Sequence, residues 1–161
     1  MMEQTVEVSA QTAFPAGRLA GIDYGTVRVG IAVTDARRTL ASPHEIYQRR
    51  EAAADARFFQ ALARDEKLVG FVVGLPIHLD GRESEKSREA RRFGQWLAQT
   101  TGLPVTFFDE RFTTAEANQF LGAARLTKKQ RAARRDKLAA QILLSAYLES
   151  SRAGTPGPID G

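Results

Sequence analysis

Apolar residues recur along this chain with two periods, and the switches between them mark out its elements. Residues 19–23 and 27–34 are β-rich runs separated by Tyr24-Gly25-Thr26, which predicts two antiparallel strands joined by a tight hairpin, with Gly25 supplying an unusual φ angle. A third strand is expected at 40–47, after the polar turn at 35–39, to complete an antiparallel meander. From 51 to 66 the spacing becomes helical, with Ala54, Phe58, Phe59 and Leu62 on one face. Residues 68–74 are a continuous apolar run, the pattern of a strand covered on both sides in a parallel sheet. A second helix is expected at 83–101, with Ala90, Phe93, Trp96 and Leu97 facing inward and Gly102 stopping it. A fifth strand at 104–108 runs into Asp109-Glu110-Arg111. Thr113 or Thr114 can cap a short helix at 115–121, and a final helix is expected at 127–149.

This order, βββαβαβαα, predicts an α/β domain of three layers. Its mixed five-stranded sheet would have strands 1–3 antiparallel and strands 4–5 parallel, with helices on both faces. The domain is expected to span residues 18–150. Residues 1–17 show little periodicity and read as a flexible leader, and 151–161, rich in Gly and Pro, read as a disordered tail.

Composition narrows the chemistry. A chain of 161 residues, 43% hydrophobic and 26% charged, is enough for one self-sufficient core. The absence of cysteine excludes a disulfide framework, a thiolate metal site and a cysteine nucleophile, and two histidines leave little for an imidazole site. The longest apolar run, 68–73, is too short for a bilayer, and the first 17 residues lack the basic-then-apolar order of a signal peptide, so no membrane and a cytoplasmic location are expected. The net charge of +4 favours polyanionic partners. Residues 125–137 concentrate that charge, with seven basic residues and one acid, Asp136.

The candidate chemistry lies in carboxylates at strand ends. Asp23 ends the first strand before a glycine turn, where ligands collect in open α/β sheets, although starting a turn is also an ordinary use of Asp. Asp109 and Glu110 hold the equivalent place on the fifth strand. Adjacent strand residues face opposite ways, so one of the two can share a site with Asp23. Arg111 could pair with Asp109 and leave Glu110 as the ligand, with Asp109 in reserve. Asp136 heads the helical stripe Ala139, Ala140, Leu143, Leu144 and Tyr147 and is expected to face the sheet, where a carboxylate is costly without a compensating charge. Oxygen donors without thiolates select Mg2+ or Mn2+, and a pair of such ions suits phosphodiester hydrolysis. Arg28, Arg111, Lys128, Lys129, Arg131, Arg134, Arg135 and Lys137 are the expected contacts to a nucleic-acid backbone. Gly25, Thr26, Gly74 and Pro76 are expected in loops that approach substrate. Ser84 and Ser87 offer hydroxyls at a helix start that could hold a phosphate. His78 reads as a loop residue.

Four segments, GIDYGTVRVGIAVTD, VVGLPIHLDG, FFDERFTT and DKLAAQILLSAYLE, resemble in order and spacing the YqgF family of Holliday junction resolvase-like and pre-16S rRNA nuclease-like proteins, over residues 18–149. The resemblance implies an RNase H-like fold, a bacterial cytoplasmic setting, and an endonuclease that matures the 5′ end of pre-16S rRNA. It places the family's acids on Asp23, Glu110 and Asp136, with Asp109 still open as the alternative to Glu110. Resolution of branched DNA is the alternative activity, and a non-catalytic RNA-binding module is a third reading that intact carboxylates disfavour. Asp23-Tyr24-Gly25-Thr26 also resembles the phosphate loop of sugar kinases and actin-like ATPases, but those need two domains, so no nucleotide cofactor is expected. A monomer or weak homodimer is expected.

Overall fold

The computed structural model describes residues 8–9, 14–78, 80–113 and 127–152, with only the helical backbone of 131–133 and 135–137. In chain order its elements are β1 (Val8–Ser9), β2 (Arg18–Asp23), β3 (Arg28–Thr34), β4 (Ala41–Gln48), α1 (Ala52–Asp65), β5 (Leu68–Leu75), α2 (Glu85–Thr101), β6 (Val105–Asp109), a 3₁₀ turn (Glu110–Thr113) and α3 (Lys128–Arg152). The short helix expected at 115–121 lies outside the described residues.

One sheet runs in the order β1-β6-β5-β2-β3-β4. The meander pairs β2 with β3 and β3 with β4 antiparallel, while β5 adds parallel to β2 and β6 parallel to β5. These five strands form the expected mixed sheet, which places β2 and β5 at its centre. The apolar run of β5 is buried along all but Val69 because helices cover both faces. On one face Phe59 and Leu62 of α1 and Phe93, Leu97 and Ala98 of α2 pack on Ile22, Phe71 and Val73; on the other, Ala140, Leu144 and Leu148 of α3 pack on Leu19, Ala32 and Val72. A fully buried side chain of this kind contributes about 1.5–3 kcal/mol. Ser84 caps α2 by accepting from the Ser87 amide at 3.0 Å, and Gly102, at φ 74°, ends it in the left-handed region that a side chain disfavours.

The structure departs from these expectations in places and adds to them. Residues 1–17 are not all outside the fold: Val8–Ser9 pairs parallel with β6 as a sixth strand, and Phe14 packs on Gly70 and edge-on against Tyr147. Nor does the helix stop at 149, since α3 reaches Arg152, whose Nη2 donates to the Thr39 carbonyl at 3.0 Å. Gly25 does not have a positive φ; its hairpin needs glycine because a Cβ would strike the Arg28 carbonyl oxygen. Trp96 faces inward against Phe59 and Phe93 as expected, but it stays partly exposed. Finally, α1 buries a carboxylate that its apolar stripe did not announce, Asp55, which accepts from Tyr47 Oη at 2.7 Å, the Arg50 amide at 2.9 Å and Arg49 Nε at 3.3 Å.

Candidate active site

Three strand ends meet at the carboxyl edge of the sheet. Asp23 closes the central strand β2 and sits opposite Gly30 of β3. On its other side Ile22 pairs with Val73, which puts Gly74 next to Asp23. Asp23 is therefore flanked by a glycine on each neighbouring strand. Leu75 of β5 pairs with Asp109 of β6, and the chain then leaves the sheet in the 3₁₀ turn that begins with Glu110. The Glu110 side chain folds back over Gly74: a Cβ there would collide with Oε2 and stand 3.1 Å from Cγ. On the opposite side a Cβ at Gly30 would lie 3.5 Å from Asp23 Cβ and 3.8 Å from Oδ2, so glycine keeps the space beside that carboxylate open.

Bringing the two acids together has an electrostatic cost. Burial first, then the charge of Asp23 and to a lesser degree that of Asp109, push the Glu110 carboxyl up to about 7, against the opposing charge of Lys86. Asp109 behaves differently. Burial acts to raise it, but Arg111 outweighs that and holds it below the ordinary carboxylate range, through Nη2 at 2.5 Å, Nε at 2.8 Å and the backbone amide at 2.9 Å. Arg111 Nη1 also donates to the His78 carbonyl at 3.4 Å. Arg111, expected on a phosphate backbone, is thus engaged by Asp109 and the 76–84 loop, and Glu110 is the acid that approaches Asp23.

Such a pair fits a hard divalent cation. Its donors are carboxylate oxygens, and a cation between them would offset the Asp23 repulsion that adds to burial in raising Glu110. Among the described residues no group of three metal-binding side chains gathers. Asp136 lies on α3, one turn before Ala140, and Ala140 Cβ comes within 3.7 Å of where a Gly30 Cβ would be. The Asp136 side chain lies outside the described residues.

Around Asp23 and Gly30 is a depression of about 360 Å³ lined also by Tyr24, Gly25, Thr26, Arg28 and Lys86. Lys86, on the first turn of α2, is the site residue that the sequence left unmarked; only the crossover brings it to the carboxylates. Arg28 is exposed on the rim, and Lys128, Lys129 and Arg134 are exposed on α3, while the side chains of Arg131, Arg135 and Lys137 lie outside the described residues. Gly74 lies under Glu110 rather than against open space, and the Pro76 carbonyl accepts from the Ser84 hydroxyl at 3.1 Å. The Ser87 hydroxyl, fully buried, donates to Glu83 Oε1 at 2.9 Å. Both serine hydroxyls thus serve the loop and the helix cap, which corrects their expected part in holding a phosphate.

Sheet order and helices on both faces define an RNase H-like α/β fold, with paired acids at the carboxyl edge of its sheet. Thermus thermophilus RuvC, solved in complex with Holliday junction substrate, has the same fold at 18% identity, with a TM-score of 0.52 over 89% of this chain and 99% of that one. The RuvX family, described as Holliday junction resolvase, matches residues 17–150, and the chain belongs to it. A relative from Rhodopirellula baltica named "Putative pre-16S rRNA nuclease" is 49% identical over 149 residues, covering 92% of this chain and 86% of the relative. One of the same name from Paracoccus denitrificans is 37% identical over 152 residues, covering 94% and 96%. No helix among the described residues is long and apolar enough to cross a membrane.

Proposed function

We propose that this protein is a divalent-metal-dependent endonuclease of the bacterial cytoplasm that hydrolyses phosphodiester bonds in RNA and processes the 5′ end of pre-16S rRNA. The observation that carries this reading is the approach of Glu110 to Asp23 across Gly74, with the Glu110 carboxyl pushed up to about 7. Asp23, Glu110 and Asp136 would hold one or two Mg2+ or Mn2+ ions, which when bound supply an acidified water and neutralise charge developing on the phosphate. The remaining work belongs to the protein. Gly30 leaves room beside Asp23 for a scissile phosphate, and Lys86 and Arg28 draw the backbone toward it. The Asp109–Arg111 pair fixes the turn from which Glu110 projects. Lys128, Lys129 and Arg134, with Arg131, Arg135 and Lys137 on the same helix, would hold flanking phosphates. The names of the curated relatives favour RNA.

The family description and the RuvC fold favour a second reading, resolution of four-way DNA junctions, which requires a symmetric dimer to place two opposed cuts. Incubation of a precursor 5′ fragment and a four-way junction side by side, with Mn2+ or Mg2+, with chelator, and with Asp23→Asn, separates the readings. Expected is cleavage of the RNA that needs metal and Asp23, by a monomer or weak homodimer in sedimentation. Paired symmetric cuts in the junction alone would move the assignment to the second reading. Cleavage of neither substrate, with RNA bound equally by Asp23→Asn, would leave a binding module.

A further inference from the structure

A second groove opens beside the carboxylate depression, and the two share Tyr24 and Thr26. Its other lining residues are Arg49, Ala52, Glu89, Arg92, Phe93 and Trp96, and its volume of about 360 Å³ falls within the roughly 300–1,000 Å³ of small-ligand sites. Three rings form its floor in a row. Tyr24 lies 4.9 Å from Phe93 and Phe93 5.4 Å from Trp96, tilted by 39° and 33°. Phe59 braces the Trp96 indole edge-on at 6.1 Å. Arg49 lies over Tyr24 and Phe93 at 5.5 and 5.3 Å and is tethered by the buried Asp55.

We propose that this groove takes an unpaired base of the nucleic-acid strand that continues from the cleavage site, stacked on Trp96, with its phosphate held by Arg92. The proposal rests on the nuclease reading of the neighbouring carboxylates. Each feature of the groove matches that ligand. A partly exposed tryptophan in a row of rings offers a surface to any base, which is how single-stranded nucleic acid is bound without sequence preference. Among the described residues Arg92 pairs with Glu85 at 3.3 Å, an exposed and weak interaction that a phosphate can replace. Glu89 offers an acceptor for the amino edge of the base. A base-paired duplex keeps its bases stacked inside, so it presents none to this floor. Continuity through Tyr24 and Thr26 places the stacked nucleotide directly beside the bond to be cut.

Trp96 is the only tryptophan in the chain, so its fluorescence reports this groove alone. The full chain in chelator, where nothing is cleaved, is titrated with a single-stranded RNA of about six nucleotides, the blunt duplex of the same sequence, and a mononucleotide. Expected is saturable quenching by the single strand, weaker with added salt, at concentrations where duplex and mononucleotide have little effect. In anisotropy with labelled single strand, Trp96→Ala should bind about 5- to 100-fold more weakly and Trp96→Phe nearly as well as the wild type. The surface variant Arg92→Ala, which leaves the core intact, should also weaken binding. Quenching by duplex or mononucleotide equal to that by the single strand would overturn the proposal, as would unchanged affinity in Arg92→Ala and Trp96→Ala. Retained quenching without cleavage in Mn2+ marks failure of the nuclease reading alone. Cleavage without quenching marks failure of the subsite alone.

Discussion

The carboxylate of Glu110 occupies the space that a side chain on Gly74 would need. A glycine in the middle of the sheet edge is thus what allows an acid from the turn after β6 to reach across to Asp23 on β2. Gly74→Ala should keep the fold, because the clash falls on the end of a flexible side chain and costs about 1 kcal/mol. It should lower cleavage about 100-fold by moving Glu110 off Asp23. Gly30→Ala, whose Cβ meets only ordinary contacts, should melt like the wild type. Thermal melts with single-turnover cleavage check both, and full activity in Gly74→Ala would show that Glu110 is not a ligand.

Unliganded Glu110, raised from its ordinary 4.5 to about 7, favours the folded state only while protonated. Its contribution is fully present below pH 4.5 and is lost as the pH rises through about 7, on the order of 3 kcal/mol in all. Glu110→Gln stays neutral throughout. In metal-free buffer the wild type should therefore melt below this variant above about pH 7 and level with it near pH 4.5. A cation requires the carboxylate form, so apparent Mn2+ affinity should fall about tenfold per pH unit below 7. Parallel melting curves across this range would contradict the assignment.

The buried carboxylate of Asp55 is opposed by burial, but the Arg50 amide, Tyr47 hydroxyl and Arg49 guanidinium outweigh that and hold its pKa below the ordinary 3.8. A depressed acid stabilises above its ordinary value, and the contribution is lost as the pH falls through the folded value. Asp55→Asn leaves Arg49 half-buried without its charge partner and should cost about 3 kcal/mol, or roughly 10 °C in Tm. The gap between variant and wild type should narrow on acidification below pH 3.8. A gap unchanged by pH would mean that packing, not charge, holds this corner.

Lys128, Lys129 and Arg134 are exposed on α3. Replacing any one by Ala should leave the protein within about 0.5 kcal/mol of wild-type stability while weakening RNA binding. For each phosphate that the variant no longer neutralises, the slope of log affinity against log salt should become shallower by about 0.7–0.9. Filter binding at several salt concentrations checks this, and an unchanged slope would place the nucleic acid elsewhere.

The linear order of residues already determined the five main strands, the helices that cover them and the class of chemistry. The unbroken apolar run of β5 demands cover on both faces, the helical stripe of α2 ends at a glycine, and acids stand where β2 and β6 terminate, all of it local periodicity and turn chemistry. Tertiary contact decided the rest, because it depends on partners far away in the chain. Asp109 and Glu110 are neighbours with the same charge, and what separates their roles is Arg111 on one side and the missing side chain of Gly74 on the other. Lys86 is one basic residue among 23 until the crossover into α2 sets its charge against Glu110. Trp96 fits an inward stripe and packs on the core while still lining a groove, and Asp55 is unmarked in the sequence until Tyr47 and Arg49 surround it. Periodicity states which face of an element is apolar; only packing states what that face, and its polar neighbours, will meet.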